Sequence, residues 1–191
     1  MTTKSFVLSL SAAAMLAAGT LGASAASWTM IPESSSLNFA GTQTGKGFTG
    51  QFRRFSTEIT LDPADLANAS ITTTVDISSF ASGSPDRDTD ALTLEWFNVA
   101  GFPQAVFTSS QVVHEGGDSY RAFGTLDIKG IQQDVELPFT LVVDGDKAVA
   151  DGALALNRMD FRVGVDGEIE DDHFVGHAVN VTFHVEATKA E

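Results

Sequence analysis

The residues of this chain that could do chemistry are few in kind. There is no cysteine, which excludes disulfides, thiolate nucleophiles, Cys-ligated zinc and iron–sulfur clusters. Four histidines remain as candidate bases or ligands. His173 and His177 are four apart, the spacing of a zinc-binding helix, but their surroundings read as β and that geometry does not arise. His173 follows Glu168, Glu170, Asp171 and Asp172, a run that reads as a solvated acidic turn. His177 shares strand parity with apolar neighbours and is a candidate polar group at a pocket, whereas His114 and His184 read as surface residues. Gly41-Thr-Gln-Thr-Gly45-Lys46-Gly47 resembles a phosphate loop, yet it is one spacer short, lacks Ser or Thr after Lys, and precedes no helix. Asp86, Asp88 and Asp90 have the spacing of a calcium loop, but Ala91 and Phe97 stand where Gly and Glu are needed. No serine sits in a G-x-S-x-G elbow, and no carboxylate pair stands out in so acidic a chain. The sequence assigns no catalytic residue and no metal ligand.

Apolar chemistry is the stronger signal. Fourteen Phe against one Tyr give a large apolar area with almost no polar handles. Phe48, Phe52 and Phe55 fall in one glycine-rich segment, and Trp96, Phe97, Phe102 and Phe107 follow the one helix candidate. Basic residues are scarce, 11 Lys and Arg against 25 Asp and Glu, and several arginines stand beside these aromatics. Arg54 shares parity with Phe48 and Phe52, and Arg158 and Arg162 flank Met159 and Phe161. An arginine beside aromatics at an apolar mouth would hold a phosphate or carboxylate head, although salt bridging to nearby acids is the default for each. The net charge of −14 argues against nucleic acid and anionic bilayers as partners.

The elements that must position these residues are strands. Period-two alternation runs through Val175–Ala187, Val135–Val143 and Tyr120–Ile128, and more weakly through Ile71–Ile77, Ala148–Leu156 and Leu37–Phe39. Asp144-Gly145-Asp146, Gly116-Gly117-Asp118 and Lys129-Gly130 are hairpin turns between them. Asp62-Pro63-Ala64-Asp65-Leu66 reads as a short helical turn, and Ser84-Pro85 opens a helix over 85–96 with Ser84 as its cap. The fold class is all-β: about eight antiparallel strands, closed into a barrel because closure removes unpaired edges. At the other extreme of the chain, Lys4, the apolar run Phe6–Ala18 and Ala23-Ser24-Ala25 read as a signal peptide cut after Ala25 or Ala26. The expected division is 1–26 as signal peptide and 27–191 as one domain, exported to the periplasm.

Three stretches together resemble the YceI-like family of exported bacterial proteins. They are Arg87-Asp88 through Trp96-Phe97 to Phe102-Pro103-Gln104-Ala105-Val106-Phe107-Thr108-Ser109; Gly124–Ile131 with Val135–Phe139; and Asn157–Gly164. The resemblance covers about 28–188 and implies an extended lipocalin-like, eight-stranded antiparallel barrel. Its tunnel would hold a polyisoprenoid or similar lipid. Many members carry His before the first strand and His-Gly after it, where this chain has Ser34-Ser35-Ser36 and Gly41–Gly47, so the polar end of the pocket can differ. The expected tunnel lining is Phe39, Phe48, Phe52, Phe107, Phe123, Phe161 and Val181, with head contacts among Arg54, Arg158, Arg162 and His177. The leading reading is a non-enzymatic carrier of a quinone, polyprenyl phosphate or other amphiphile, bound without a covalent cofactor. The alternatives are a partner of a membrane b-type cytochrome in a quinone-linked system, and a barrel enzyme acting on a lipid. A homodimer is compatible with either.

Overall fold

Turn chemistry and alternation together dictate a meander. The computed structural model describes residues 26–165, 172 and 174–190. In chain order the strands are β1 (Ser27–Met30), β2 (Ser36–Gln43), β3 (Lys46–Phe52), β4 (Phe55–Asp62), β5 (Asp65–Asp76) and β6 (Phe80–Ala81). Helix α1 (Pro85–Ala91) follows. Then come β7 (Gln104–Gly116), β8 (Ser119–Ile128), β9 (Ile131–Asp144), β10 (Lys147–Asn157) and β11 (Ala178–Lys189). The ring β1-β4-β5-β7-β8-β9-β10-β11 closes through Trp28↔Lys189 and Met30↔Ala187, an eight-stranded antiparallel barrel.

Three neighbouring strands break at one level. The chain leaves β1 through a 3-10 turn at Pro32–Ser34 and resumes as β2; β3 passes to β4 at Arg53-Arg54; β5 passes to β6 through Ile77–Ser79. Beyond the breaks, β2, β3 and β6 continue as a side sheet held to β11 by Phe39↔Val181 and Leu37↔Phe183. Outside the ladder, the breaks are pinned by side chains. Arg54 Nε donates to Asp76 at 2.8 Å, its Nη2 to Ser78, and its backbone N–H to the Ser79 hydroxyl. The Ser78 hydroxyl, which donates to Asp76 at 2.6 Å, and then the Arg54 bond hold the Asp76 carboxylate below its ordinary pKa.

All three expected hairpin turns are turns, and Lys129 and Gly130 both have positive φ, the twist that suits a tight hairpin. Thr44 and Gly45, inside the stretch that mimics a phosphate loop, form the same kind of turn between β2 and β3. Two expectations need correction. Pro63-Ala64 is the two-residue turn between β4 and β5, not a helical turn, because Asp62↔Asp65 pairing already closes a hairpin there. Helix α1 ends at Ala91 and not at 96, since Phe97 N–H returns to the Ala91 carbonyl and Asn98 takes a positive φ, turning the chain back on itself. Ser84 occupies the cap position but makes no side-chain cap; instead Asp88 accepts from the Ser82 N–H and hydroxyl at 2.7 and 2.6 Å. Those bonds lower the Asp88 pKa and give that carboxylate a structural role at the start of the helix. Among the described residues no cluster of His, Asp or Glu is arranged to hold a metal.

Candidate functional site

The barrel interior is not filled. A cavity of about 270 Å³ runs inside it. Val179, Val181, Phe183, Val185 and Ala187 of β11 all line it, nine residues of strand whose eight steps of ~3.3 Å span roughly 26 Å. Tilted strands shorten that to about 20 Å along the axis, an elongated bore. Its wall is apolar except at Thr57, Thr73 and Arg158.

Close-packed cores leave few voids, so something must hold the rings off the axis. Three glycines do this. Gly50 lies opposite Phe39, Gly152 opposite Phe183, and Gly124 beside Phe107, each with the ring laid flat where a side chain would stand. A Cβ at Gly124 would lie 2.8 Å from the Phe107 ring, and Cβ atoms at Gly50 and Gly152 would overlap Phe39 and Phe183. With their rings pressed into these notches, the phenylalanines line the bore without crossing it.

The two ends differ. Where β1 closes the ring, Trp28, Leu61, Leu141 and Ala187 join the main buried cluster, and Trp28 Nε1 donates to the Leu61 carbonyl at 2.8 Å. Beyond the strand breaks lies an aromatic group: Phe39 stacks on Phe80 at 4.7 Å, and Phe52 meets Phe39, Phe80 and Phe97 at 5.5, 5.7 and 6.3 Å. Phe52 and Phe97 reach the cavity, as do Phe161 and Val163 of the turn after β10.

Arg158 fixes that turn. It is 6% exposed, and its guanidinium donates to the carbonyls of Val163, Gly164, Val175 and Gly176 at 2.5–3.2 Å. It also lies over the Trp96 ring at 5.5 Å. Burial pushes its pKa down, with Asp172 opposing. Asn157 caps the turn by accepting from the Met159 N–H.

Of the residues expected in the lining, Phe39, Phe52, Phe107, Phe161 and Val181 face the cavity. Phe48 does not: it lies under the Arg87 guanidinium at 4.0 Å, which is itself held by Gln43 and Ser82, so the ring packs α1 onto β2 and β3. Phe123 points outward, between Gln111 and Glu136, because Ala122 and Gly124 hold the inward parity of β8. The arginines divide as well. Arg54 has its side chain 61% exposed in the Asp76 ion pair, and Arg162 sits outside in a left-handed conformation that ends the turn. Only Arg158 of the three reaches the lumen. His177 precedes β11 and is absent from the lining; its backbone N–H donates to Asp172, and its carbonyl accepts from the Arg158 N–H. Residues 1–25, within the expected signal peptide, and His173, with Glu168, Glu170 and Asp171, lie outside the described residues. Sequence reasoning missed Thr57 and Thr73, although both stand at inward parity, Thr57 between Phe55 and Ile59 and Thr73 between Ile71 and Val75.

A profile of the YceI-like domain matches residues 28–187, the whole barrel. The chain belongs to the YceI-like family. Protein YceI of Salmonella arizonae and that of Salmonella newport are each 33% identical over 97 residues, 51% of this chain and 50% of theirs. The chain thus spans about half the length of the curated relatives it matches. The crystal structure of Burkholderia cenocepacia BcnA is 33% identical, with a TM-score of 0.79 over 83% of this chain and 99% of that one. A polyisoprenoid-binding domain from Saccharophagus degradans shares the fold at 15% identity, with a TM-score of 0.69 over 85% of this chain and 98% of that one. Among the described residues, the one ionisable side chain lining the lumen of this YceI-like barrel is Arg158, which is tied to backbone carbonyls.

Proposed function

We propose that this YceI-like protein is a periplasmic carrier that sequesters an isoprenoid or other lipid-like amphiphile, such as a quinone or polyprenyl phosphate, inside the barrel. The observation that carries this reading is the bore: elongated, about 270 Å³, with three polar residues in its wall. The mechanism is desolvation. At ~0.8 kcal/mol per buried CH₂, each five-carbon isoprene unit contributes roughly 4 kcal/mol before the cost of ordering it. A branched, flexible apolar tail suits such a wall; a sugar, peptide or nucleotide would leave its polar groups unpaired there. The polyisoprenoid-binding domain of the same fold supports this cargo class. Export rests on Lys4, the Phe6–Ala18 run and the Ala-rich junction. Exchange of cargo would take place with the membrane or a quinone-linked protein in it.

Mass spectrometry of a solvent extract from periplasmic protein tests the reading. An isoprenoid is expected in the extract, and N-terminal sequencing should begin at Ala26 or Ser27. Phe52→Asp, which places a charge in the wall, should abolish retention. An empty extract, together with no uptake of polyprenyl probes by stripped protein, would overturn the proposal.

A further inference from the structure

The carrier reading leaves one feature of the lumen unused. Thr57 and Thr73 face each other across β4 and β5, and Thr73 Oγ1 lies 3.1 Å from Thr57 Oγ1. Both line the cavity. Phe55 and Val75 stand on one side of the pair, Ile59 and Ile71 on the other, and Phe107 pairs with Thr73 from β7. The hydroxyls therefore sit within the apolar wall. Two hydroxyls carry two hydrogens, and a bond between them uses one. The second has no acceptor among the described residues. A hydroxyl donor in an apolar bore gains most from an acceptor supplied by whatever fills the bore.

Resting on the carrier reading, we infer that the Thr57–Thr73 pair is a recognition site for a neutral acceptor oxygen, a carbonyl or ether, on an otherwise hydrocarbon ligand. The charge arrangement selects neutrality. Arg54 and Arg162 lie outside the barrel, and the one arginine that lines the cavity among the described residues, Arg158, binds four carbonyls. An anion at the threonine level would lose its hydration and meet no cation beside it. A carbonyl oxygen there costs little to desolvate and accepts one hydrogen bond, so the pair sets how far along the bore the ligand seats.

The test uses stripped wild-type protein and three probes of one chain length: a polyprenyl methyl ketone, the hydrocarbon without oxygen, and the polyprenyl phosphate. Wild type should bind the ketone about tenfold more tightly than the hydrocarbon, the scale of one well-placed buried hydrogen bond. The Thr57→Val/Thr73→Val double variant removes both hydroxyls at nearly constant shape, so it should fold and lose the preference for ketone over hydrocarbon. Thr57→Ser with Thr73→Ser should restore the preference. Infrared spectra of ¹³C-carbonyl ketone should show a stretch lowered by hydrogen bonding in wild type and relaxed in the valine variant. If wild type binds ketone and hydrocarbon equally, or the valine variant keeps the preference and the lowered stretch, this inference fails and the carrier reading stands. Tighter binding of the phosphate than of the ketone also overturns it. If wild type takes up none of the probes, both fall.

Discussion

The two ends of the barrel solve the same problem by different means. Where β1 meets β11 and β4, continuous ladders close the ring, and one indole seals it with a single hydrogen bond from Trp28 to the Leu61 carbonyl. Past the breaks at 31–35, 53–54 and 77–79, no ladder joins β6 to β7, and closure falls to side chains: the Phe39–Phe52–Phe80–Phe97 group and the turn that Arg158 ties down. Backbone pairing is cooperative and tolerant of any one side chain. A plug made of side chains depends on each of them, so the broken end should be the more fragile and the better suited to admit a ligand.

The sharpest way to break this contrast is to remove its chief tie. Arg158→Ala orphans four carbonyls, all of them on buried residues, and should cost about 3–5 kcal/mol in denaturant unfolding. Arg158→Lys should restore little, because one ammonium cannot span carbonyls on both sides of the turn. At the closed end Trp28→Phe loses one hydrogen bond and some volume, about 1–2 kcal/mol. Equal losses at the two ends would refute the contrast.

A smaller effect is expected along the wall. Gly152→Ala should drive the Phe183 ring out of its notch into the bore, costing about 1–3 kcal/mol of stability and weakening uptake of polyprenyl probes several-fold. Gly47→Ala, where nothing lies within 4 Å, is the control and should leave both unchanged. Uptake unaffected by Gly152→Ala would mean that the glycines do not set the width of the bore.

The least effect belongs to the outer face. His184 Nδ1 lies 2.7 Å from Asp151 across β10 and β11, and that bond raises its pKa above the ordinary 6.5. A raised pKa stabilises the fold fully below 6.5 and loses that increment as pH rises through the folded value. Melting temperature should therefore fall slightly as pH rises above 6.5 in wild type and stay flatter in His184→Gln. The pair is more than a third exposed, so the increment is small, and probe uptake should not follow it.

The amino-acid sequence determined the strands, most of the hairpins and the inward parity of most of the lining, because alternation and turn residues act over a few neighbours at a time. It placed Phe39, Phe107 and Val181 on inward faces, and the same parity argument, applied to Ala122 and Gly124, excludes Phe123. Neighbour rules could not see where strands break or what crosses between them. Whether Phe48 meets the lumen or Arg87, whether Arg54 meets a ligand or Asp76, and whether Arg158 meets a head group or four carbonyls depend on residues 22 to 44 positions away or on a turn closed by the whole barrel. The bore itself is also a tertiary outcome. The thirteen phenylalanines from Phe39 onward could have filled the barrel, and only the facing of Phe39, Phe107 and Phe183 onto Gly50, Gly124 and Gly152 laid three of the rings along the wall and left the middle open.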